Sequence, residues 1–406
     1  MDIPQTSARV GFVATSLKEA QKLLASALKQ LQAQPEAESW EHPQGIYYRQ
    51  TGLSLKGKVV ALFPGQSSQY INMGREISFN FPQIQQAYQA LDKSMAEDNL
   101  PALSNIAFPV PAFTPEAIEQ QSEQLKRTEN AQPAIGGFSL GLYKILQEVG
   151  FKADFAAGHS FGELTALWAA GVFSDEDYCY LIKARGQAMA IPQGNDDCDG
   201  GAMLAVRGDV AKVKQLIAGI TKVQIANYNA PEQVVLSGTK PEIATQEKVL
   251  SKQGYSVTLL PVSGAIHTPF VRHASQPFAE ALDKVTFNSP KIPVYANMTG
   301  KPYPTEAKAI RELLEAHMLN AVEFVNEIEN IYAQGGYCFV EIGPRQILTN
   351  LVKQTLGSRP HVAIALNPSR QKDSDVQLRQ GVIQLRVMGL SGEHTSELQS
   401  RPHISY

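Results

Sequence analysis

The stretch of this chain with the clearest chemical potential is Gly158-His159-Ser160-Phe161-Gly162. The short, mostly apolar run 154–157 before it is typical of a buried strand, and residues 163–170 after it carry apolar side chains at helical spacing. A strand, a G-x-S-x-G motif and a helix in this order predict a sharp turn that leaves the serine hydroxyl exposed. The alternative is a chance match in a turn, but the flanking segments favour a nucleophilic Ser160.

A nucleophilic serine needs a general base, and histidine is the usual one. Among the eight histidines, His267 lies in a loop directly after a predicted strand, where catalytic side chains are often carried. His159 adjoins the serine, but we expect its side chain to point elsewhere in such a turn. His267 is therefore the candidate base, with an ordinary polar loop residue as the alternative.

Composition excludes several classes of function. The chain has 406 residues, 43% of them hydrophobic, which is enough for two or three domains with buried cores. A net charge of −3 gives no electrostatic footprint for nucleic acid, and no apolar run approaches the roughly 20 residues of a membrane span. The three cysteines, Cys179, Cys198 and Cys338, lack metal or disulfide spacing. We expect a cytoplasmic protein without a metal or a signal peptide.

The pattern of elements predicts an α/β protein in several parts. Residues 1–57 read as a small α/β unit, in which Ser16 and Glu19 form a capping box before a helix. Alternating strands and helices over 58–200 and 263–390 predict a mostly parallel sheet covered by helices. Between these two stretches, 201–262 has the order βαββαβ of an inserted ferredoxin-like unit. The tail 391–406 has no periodicity, and we expect it to be of cloning origin.

Finer features are also predicted. We expect strands at 9–14, 45–49 and 58–63, and helices around 72–95 and 131–148. The proline-rich segment between those two helices, 99–115, is expected to be irregular.

Further motifs follow one another in a fixed order: Phe63-Pro-Gly-Gln-Ser-Ser-Gln69, Asn130-Ala-Gln-Pro133, Arg185-Gly-Gln-Ala-Met189, Asn229-Ala-Pro-Glu-Gln-Val-Val-Leu-Ser-Gly238, His267-Thr-Pro269, Asn297-Met-Thr-Gly300 and Glu341-Ile-Gly-Pro344. Over roughly 58–370, this order resembles that of malonyl-CoA:acyl carrier protein transacylases and of the acyltransferase domains of fatty acid and polyketide synthases. The chain most resembles the acyltransferase region of bacterial polyunsaturated fatty acid synthases. Its N-terminal unit resembles the linker that joins a ketosynthase to such a domain.

The resemblance implies a fold and a reaction. The large part would be an α/β-hydrolase-like subdomain, and no cofactor would be bound. Ser160 would attack the thioester of malonyl-CoA while His267 accepts its proton, and the backbone N–H groups of Gln66 and Phe161 would form the oxyanion hole. The acceptor would be the phosphopantetheine thiol of an acyl carrier protein, and a neighbouring ketosynthase domain would be a further partner.

The resemblance also implies residues that recognise the substrate. Arg185 would bind the free carboxylate of a dicarboxylic acyl group. Asn229, Ile266 and His159 would line the site, and the bulk of Ile266 disfavours an α-methyl branch, so malonyl is expected. A backbone carbonyl at His317 would orient the catalytic histidine. The family usually has glutamine at this position, but a backbone role tolerates any side chain.

Two other functions remain open from the sequence. A thioesterase or another serine hydrolase would use the same turn with water as the acceptor. Such an enzyme would be expected to have an acidic residue between the serine and the histidine in the chain, and no residue that binds a substrate carboxylate. A catalytically silent module that docks a ketosynthase and a carrier protein would need neither Ser160 nor His267, and both are present.

Overall fold

The computed structural model describes residues 3–190, 200–260 and 264–390; Cys198 and the tail 391–406 lie outside these ranges. The helices are α1 (Leu17–Ala33), α2 (Arg75–Asn80), α3 (Pro82–Glu97), α4 (Leu103–Ala107), α5 (Pro115–Lys126), α6 (Thr128–Glu148), α7 (Gly162–Ala169), α8 (Asp175–Ala188), α9 (Val210–Ile217), α10 (Lys240–Lys252), α11 (Ser275–Leu282), α12 (Ala307–His317), α13 (Phe324–Ala333), α14 (Ile347–Leu356) and α15 (Ser374–Met388). The strands are β1 (Arg9–Gly11), β2 (Ser39–His42), β3 (Ile46–Arg49), β4 (Val59–Phe63), β5 (Phe155–Gly158), β6 (Ala202–Arg207), β7 (Val223–Ala230), β8 (Gln233–Gly238), β9 (Ser256–Leu259), β10 (Val294–Tyr295), β11 (Cys338–Glu341) and β12 (Val362–Ala365).

The predicted parallel sheet is present, with strand order β10-β5-β4-β11-β12 and every neighbouring pair parallel. All five residues of β4 are buried, because helices cover both faces of the sheet. Ala61 and Phe63 face a core shared with α6 and α7, whereas Val60 and Leu62 face a second core shared with α13 and α14. This alternation explains why β4 reads as one continuous apolar run.

The strand register in this sheet brings the turn after β4 close to the turn after β5, which carries the G-x-S-x-G motif. Phe63 at the end of β4 pairs with Gly158 at the end of β5. Because the carboxyl ends of parallel strands meet at one edge, the turn after β4 lies beside the G-x-S-x-G turn. A Cβ added to Gly65 would lie 2.4 Å from the His159 carbonyl oxygen, so the two turns approach more closely than any other residue would allow.

Residues 202–259 form a separate four-stranded antiparallel sheet of order β7-β8-β6-β9. Its elements follow one another in the order βαββαβ, with α9 and α10 between the strands. Leu204 and Val206 face those helices. The sheet is joined to the larger part at Val322, whose N–H donates to the Ala226 carbonyl at 2.8 Å and whose carbonyl accepts from the Tyr228 N–H at 2.7 Å.

The N-terminal unit is a three-stranded antiparallel sheet of order β1-β3-β2, with α1 and α15 packed against it. A Cβ on Gly11 would lie 2.5 Å from Ile383, which shows how closely β1 approaches α15. The predicted capping box is offset by one residue: Ser16 caps the Glu19 N–H, but the Glu19 carboxylate accepts from the Thr15 N–H at 2.7 Å. Strand β1 ends at Gly11 rather than at residue 14.

Two predicted elements differ in detail. The helix expected over 72–95 is broken into α2 and α3, because Pro82 holds Phe81 in an extended conformation with φ −129° and ψ 109°. The segment 99–115, expected to be irregular, includes the short helix α4, whose Leu103 and Ile106 are buried. Within the described ranges, no helix is both long and apolar enough to cross a membrane.

Candidate active site

The turn between β5 and α7 holds Ser160 in a left-handed backbone conformation with φ +54°. Its two glycines allow this geometry. A Cβ on Gly158 would lie 2.0 Å from the Gly162 carbonyl, and a Cβ on Gly162 would lie 2.0 Å from the Phe63 oxygen. The G-x-S-x-G pattern is therefore dictated by backbone contact, and the strained serine marks a functional turn.

The structure brings together the two residues that sequence predicts as nucleophile and base. Ser160 Oγ lies 2.6 Å from His267 Nε2. On the other side of the ring, His267 Nδ1 lies 3.3 Å from the backbone carbonyl oxygen of His317. Since a carbonyl only accepts, Nδ1 carries the hydrogen and Nε2 is free to accept the serine proton.

Electrostatics also favour a neutral His267. The side chain is buried, and burial, followed by the nearby His317 and Arg185, lowers the pKa of His267 well below its ordinary value. An imidazole with a low pKa stays unprotonated near neutral pH. It is therefore in the form that a general base requires.

Asn297 fixes the turn from the neighbouring strand end. Its Oδ1 accepts a hydrogen bond from the Ser160 N–H at 2.6 Å, and its Nδ2 donates to the Gly158 carbonyl at 2.5 Å. Its own N–H donates to Glu163 Oε1 at 2.8 Å. Sequence reasoning identified the motif beginning at Asn297 but gave this residue no role, since a contact across 137 positions leaves no local signal.

The predicted oxyanion-hole residues lie on the two neighbouring turns. Gln66 follows the end of β4, and Phe161 follows the serine. In the part of the chain that the structure describes, neither backbone N–H donates to another group. Free donors next to a nucleophile can stabilise a developing oxyanion.

Arg185 is buried, with 2% of its surface exposed, and its guanidinium lies 5.9 Å from the centre of the Phe161 ring. Its Nη1 donates to Gln132 Oε1 at 2.7 Å, but Nη2 has no hydrogen-bond partner among the described residues. Burial lowers the pKa of Arg185 to about 10, so it stays charged near neutral pH. A buried cation with an unsatisfied donor is suited to bind an anion.

Sequence reasoning missed Gln132, although it identified the motif that contains it. Besides accepting from Arg185, this amide donates from Nε2 to Gln66 Oε1 at 3.2 Å. Gln66 in turn donates from its side chain to Thr128 Oγ1 at 3.0 Å. A continuous hydrogen-bonded chain therefore connects the arginine to the turn that carries Gln66, the predicted oxyanion-hole residue.

A cavity of about 200 Å³ opens beside Ser160, between the central sheet and the small sheet. The predicted lining residues Asn229, Ile266 and His159 all contact it, and so does Met203, which was not predicted. His159 Nε2 lies 2.7 Å from Asn229 Oδ1, and burial lowers the pKa of His159 to about 4. His159 thus contacts Asn229 through its ring while it lines the cavity.

Helix α14 closes one wall of this cavity with its first turn. The buried Glu341 carboxylate at the end of β11 accepts from the N–H groups of Leu348 and Thr349 at 3.0 and 2.8 Å. A carboxylate at a helix N-terminus satisfies free donors and complements the helix dipole. Across the described ranges, no group of three or more His, Cys, Asp or Glu side chains could hold a metal ion.

A serine on a strand-to-helix turn of a parallel sheet, paired with a histidine and flanked by free N–H donors, is the arrangement used by enzymes that form acyl-serine intermediates. The sequence bears out that class, because it matches the acyl transferase domain family over residues 60–394. The chain belongs to this family.

Similar proteins cover both single-domain and multidomain enzymes. A polyunsaturated fatty acid synthase subunit of Thraustochytrium sp. is 34% identical over 96% of this chain, which spans only 14% of that protein's length. Malonyl CoA-acyl carrier protein transacylase of Bacillus subtilis is 34% identical over 73% of this chain and 90% of its own. The crystal structure of the acyltransferase domain from the second module of the salinomycin polyketide synthase superposes with a TM-score of 0.81, at 27% identity over 99% of this chain and 88% of that one.

Proposed function

We propose that this acyltransferase moves a malonyl group from malonyl-CoA, through an acyl-enzyme on Ser160, to the phosphopantetheine thiol of an acyl carrier protein. The observation that carries the proposal is the buried Nη2 of Arg185 beside the serine turn, which has no hydrogen-bond partner among the residues that the structure describes. A free carboxylate on the acyl group would satisfy that donor. The Bacillus subtilis relative, which this chain matches over 90% of its length, is named for malonyl transfer.

In the first half of the reaction, Ser160 Oγ attacks the thioester carbonyl carbon as His267 Nε2 takes the hydroxyl proton. The carbonyl oxygen gains negative charge, which the N–H groups of Gln66 and Phe161 stabilise. The carbon–sulfur bond then breaks, and His267 returns its proton to the CoA sulfur. The second half runs in reverse with the phosphopantetheine thiol as nucleophile, so the enzyme ends unchanged.

In this proposal selectivity comes from two residues, Arg185 beside Phe161 and Ile266 in the cavity wall. The Arg185 guanidinium pairs with a carboxylate in a fork geometry, and a neutral acetyl group leaves it unpaired. Ile266, which lines the cavity next to His267, crowds an α-methyl branch. One methyl group is worth only about 1–3 kcal/mol in such a pocket, so malonyl is preferred over methylmalonyl by a modest factor.

The parts of the chain have separate roles in this proposal. Residues 58–200 and 263–390 form an α/β-hydrolase-like subdomain that carries the serine and the histidine. Residues 201–262 form a ferredoxin-like subdomain that supplies Asn229, and its antiparallel strand order supports this description. Residues 1–57 act as a linker toward a ketosynthase in a cytoplasmic synthase, consistent with the match to part of a polyunsaturated fatty acid synthase.

Incubation with radiolabelled malonyl-CoA tests the function directly. We expect a stable label on Ser160 that transfers to carrier protein bearing its phosphopantetheine arm. Apo carrier protein, which lacks the arm and its thiol, is the matched control and should leave the label on the enzyme. Release of free malonate at the same rate with either carrier would indicate a hydrolase. Absence of any label would indicate a silent docking module.

A further inference from the structure

A buried carboxylate lies behind both catalytic residues. Glu163, in the first turn of α7, is completely buried. Its Oε1 accepts from the Asn297 N–H, and Asn297 in turn accepts from the Ser160 N–H. Glu163 is therefore connected to the nucleophile by hydrogen bonds through one intermediate residue, Asn297.

The second oxygen of the same carboxylate reaches toward the base. Glu163 Oε2 is paired with His317 Nδ1, and both side chains are almost fully buried. The His317 ring stacks on the His267 ring, with centroids 4.7 Å apart and planes 25° from parallel. Glu163 is thus also connected to His267 through one intermediate residue, His317.

The charged and titratable groups around His267 and Glu163 indicate the electrostatic role of this carboxylate. The groups that act on His267 are His317, Arg185 and His159. Glu163 favours the charged form of the buried Arg185. Its carboxylate also raises the pKa values of Tyr303 and Glu327, although burial is the larger cause for both.

We propose that Glu163 is the positioning carboxylate of this site: through Asn297 it holds Ser160, and through the ring of His317 it holds His267 and balances its charge. The inference rests on the proposed roles of Ser160 and His267. In Ser-His-Asp enzymes an aspartate bonds the histidine directly and stabilises the imidazolium. Here the His317 carbonyl occupies Nδ1 of His267, so the negative charge acts from one ring further away.

This arrangement predicts a kinetic signature for Glu163→Gln. The amide keeps the shape and can still accept from Asn297, but the negative charge is lost. Without that charge the imidazolium of His267 is less stable, so the pKa of His267 should fall and the acid limb of the rate profile should move to lower pH. The plateau rate of serine modification should fall about 10- to 100-fold, less than the ~10⁴-fold effect of changing a directly bonded aspartate.

The role of the His317 ring has its own pair of variants. Both His317→Gln and His317→Ala keep the backbone carbonyl that orients His267. A glutamine amide can donate to the Glu163 carboxylate, so His317→Gln should stay within about threefold of the unmodified enzyme, whereas His317→Ala should lose about tenfold. The double variant Glu163→Gln/His317→Ala should be no slower than the slower single variant. Both changes break the same connection between the Glu163 carboxylate and His267, so their effects should not add.

Labelling of Ser160 by a fluorophosphonate probe, measured from pH 4 to 9 by mass spectrometry, provides the readout, because this probe reports serine reactivity whatever acyl group the enzyme carries. Glu327→Gln is the matched control: Glu327 is equally buried, and neither of its oxygens has a hydrogen-bond partner among the described residues. It should leave both the plateau and the acid limb unchanged. Thermal melting of each variant checks the fold, and if Glu163→Gln does not fold, the two His317 variants decide.

The proposal is overturned if Glu163→Gln labels with an unchanged plateau and acid limb, if it only matches the effect of Glu327→Gln, or if His317→Ala labels as fast as His317→Gln. Failure of the proposed function is a different result. It would appear as normal labelling of Ser160 in an enzyme that forms no malonyl carrier protein, with the positioning pattern intact.

Discussion

Replacing Arg185 with alanine should change which acyl group the enzyme prefers. The guanidinium is buried; its Nη1 donates to Gln132, and its Nη2 has no hydrogen-bond partner within the described residues. A malonyl carboxylate would complete this set of hydrogen bonds. Acetyl-CoA has no group that could do so.

The magnitude follows from the loss of one partner in a buried charged pair. Without Arg185, a malonyl carboxylate placed beside Phe161 would be buried with no counter-charge. A charge-assisted hydrogen bond contributes about 1.5–3 kcal/mol, and leaving a charge buried costs more, so malonyl transfer should lose about 2–4 kcal/mol. At 1.36 kcal/mol per tenfold, this corresponds to about 30- to 1,000-fold in kcat/KM. Acetyl transfer should hold steady or rise, because no carboxylate is stranded.

The assay measures kcat/KM for malonyl-CoA and for acetyl-CoA with one carrier protein. The ratio of these two values does not depend on the fraction of active enzyme in each preparation. Lys183→Ala is a suitable control. Lys183 is a second buried cation on α8, but its ammonium bonds the Ser94 carbonyl at 2.7 Å and pairs with Asp98 at 2.7 Å. Its loss should lower stability without changing the ratio of the two substrates.

Two results would refute the reasoning about Arg185. An equal fall for both substrates would mean that Arg185 supports the structure through Gln132 and does not read the carboxylate. Unchanged malonyl kinetics would mean that the carboxylate binds elsewhere, and the choice of acyl group would then have to be sought among other lining residues.

Further variants test the remaining parts of the site. Ser160→Ala should abolish acyl-enzyme formation, and covalent labelling that survives would contradict the nucleophile. His267→Ala should slow acylation by at least about 10²-fold, measured by single-turnover mass spectrometry, since the serine loses its general base. Because the pKa of His267 is lowered well below the ordinary 6.5, the acylation rate should stay constant as the pH falls through 6.5 and decline only at lower pH. A pH–rate midpoint at 6.5 would argue against a buried, neutral base. Asn297→Ala removes the acceptor of the Ser160 N–H and should lower kcat with little change in KM, whereas an effect on KM alone would place it in substrate binding. Gly162→Ala should yield unfolded or inactive protein, because the new Cβ would lie 2.0 Å from the Phe63 oxygen, and normal activity would show that the turn tolerates rearrangement.

The parts of the fold that sequence predicts are those with local signals. Strand β4 is buried on both faces, which produces a continuous apolar run that can be read without knowing its neighbours. The turn around Ser160 needs glycine at fixed positions, and that spacing is visible in the chain. Strand β2 was missed because Ser39-Trp-Glu-His42 has only one buried residue and no run or alternation long enough to identify. The break at Pro82 was available in the sequence and was overlooked.

The missed residues of the site share a physical property: each acts through a partner far away in sequence. Gln132 joins Arg185 to Gln66 across 53 and 66 positions, and Glu163 reaches Asn297 across 134. Polar side chains on a buried helix face give no pattern that separates such partners from ordinary satisfied core groups. These contacts bear on the chemistry, because a carboxylate bound at Arg185 would act through Gln132 on the turn that is proposed to supply an oxyanion donor. With Arg185 and Gln66 in their proposed roles, recognition of the acyl group and stabilisation of its transition state are coupled by hydrogen bonds that only the folded chain assembles.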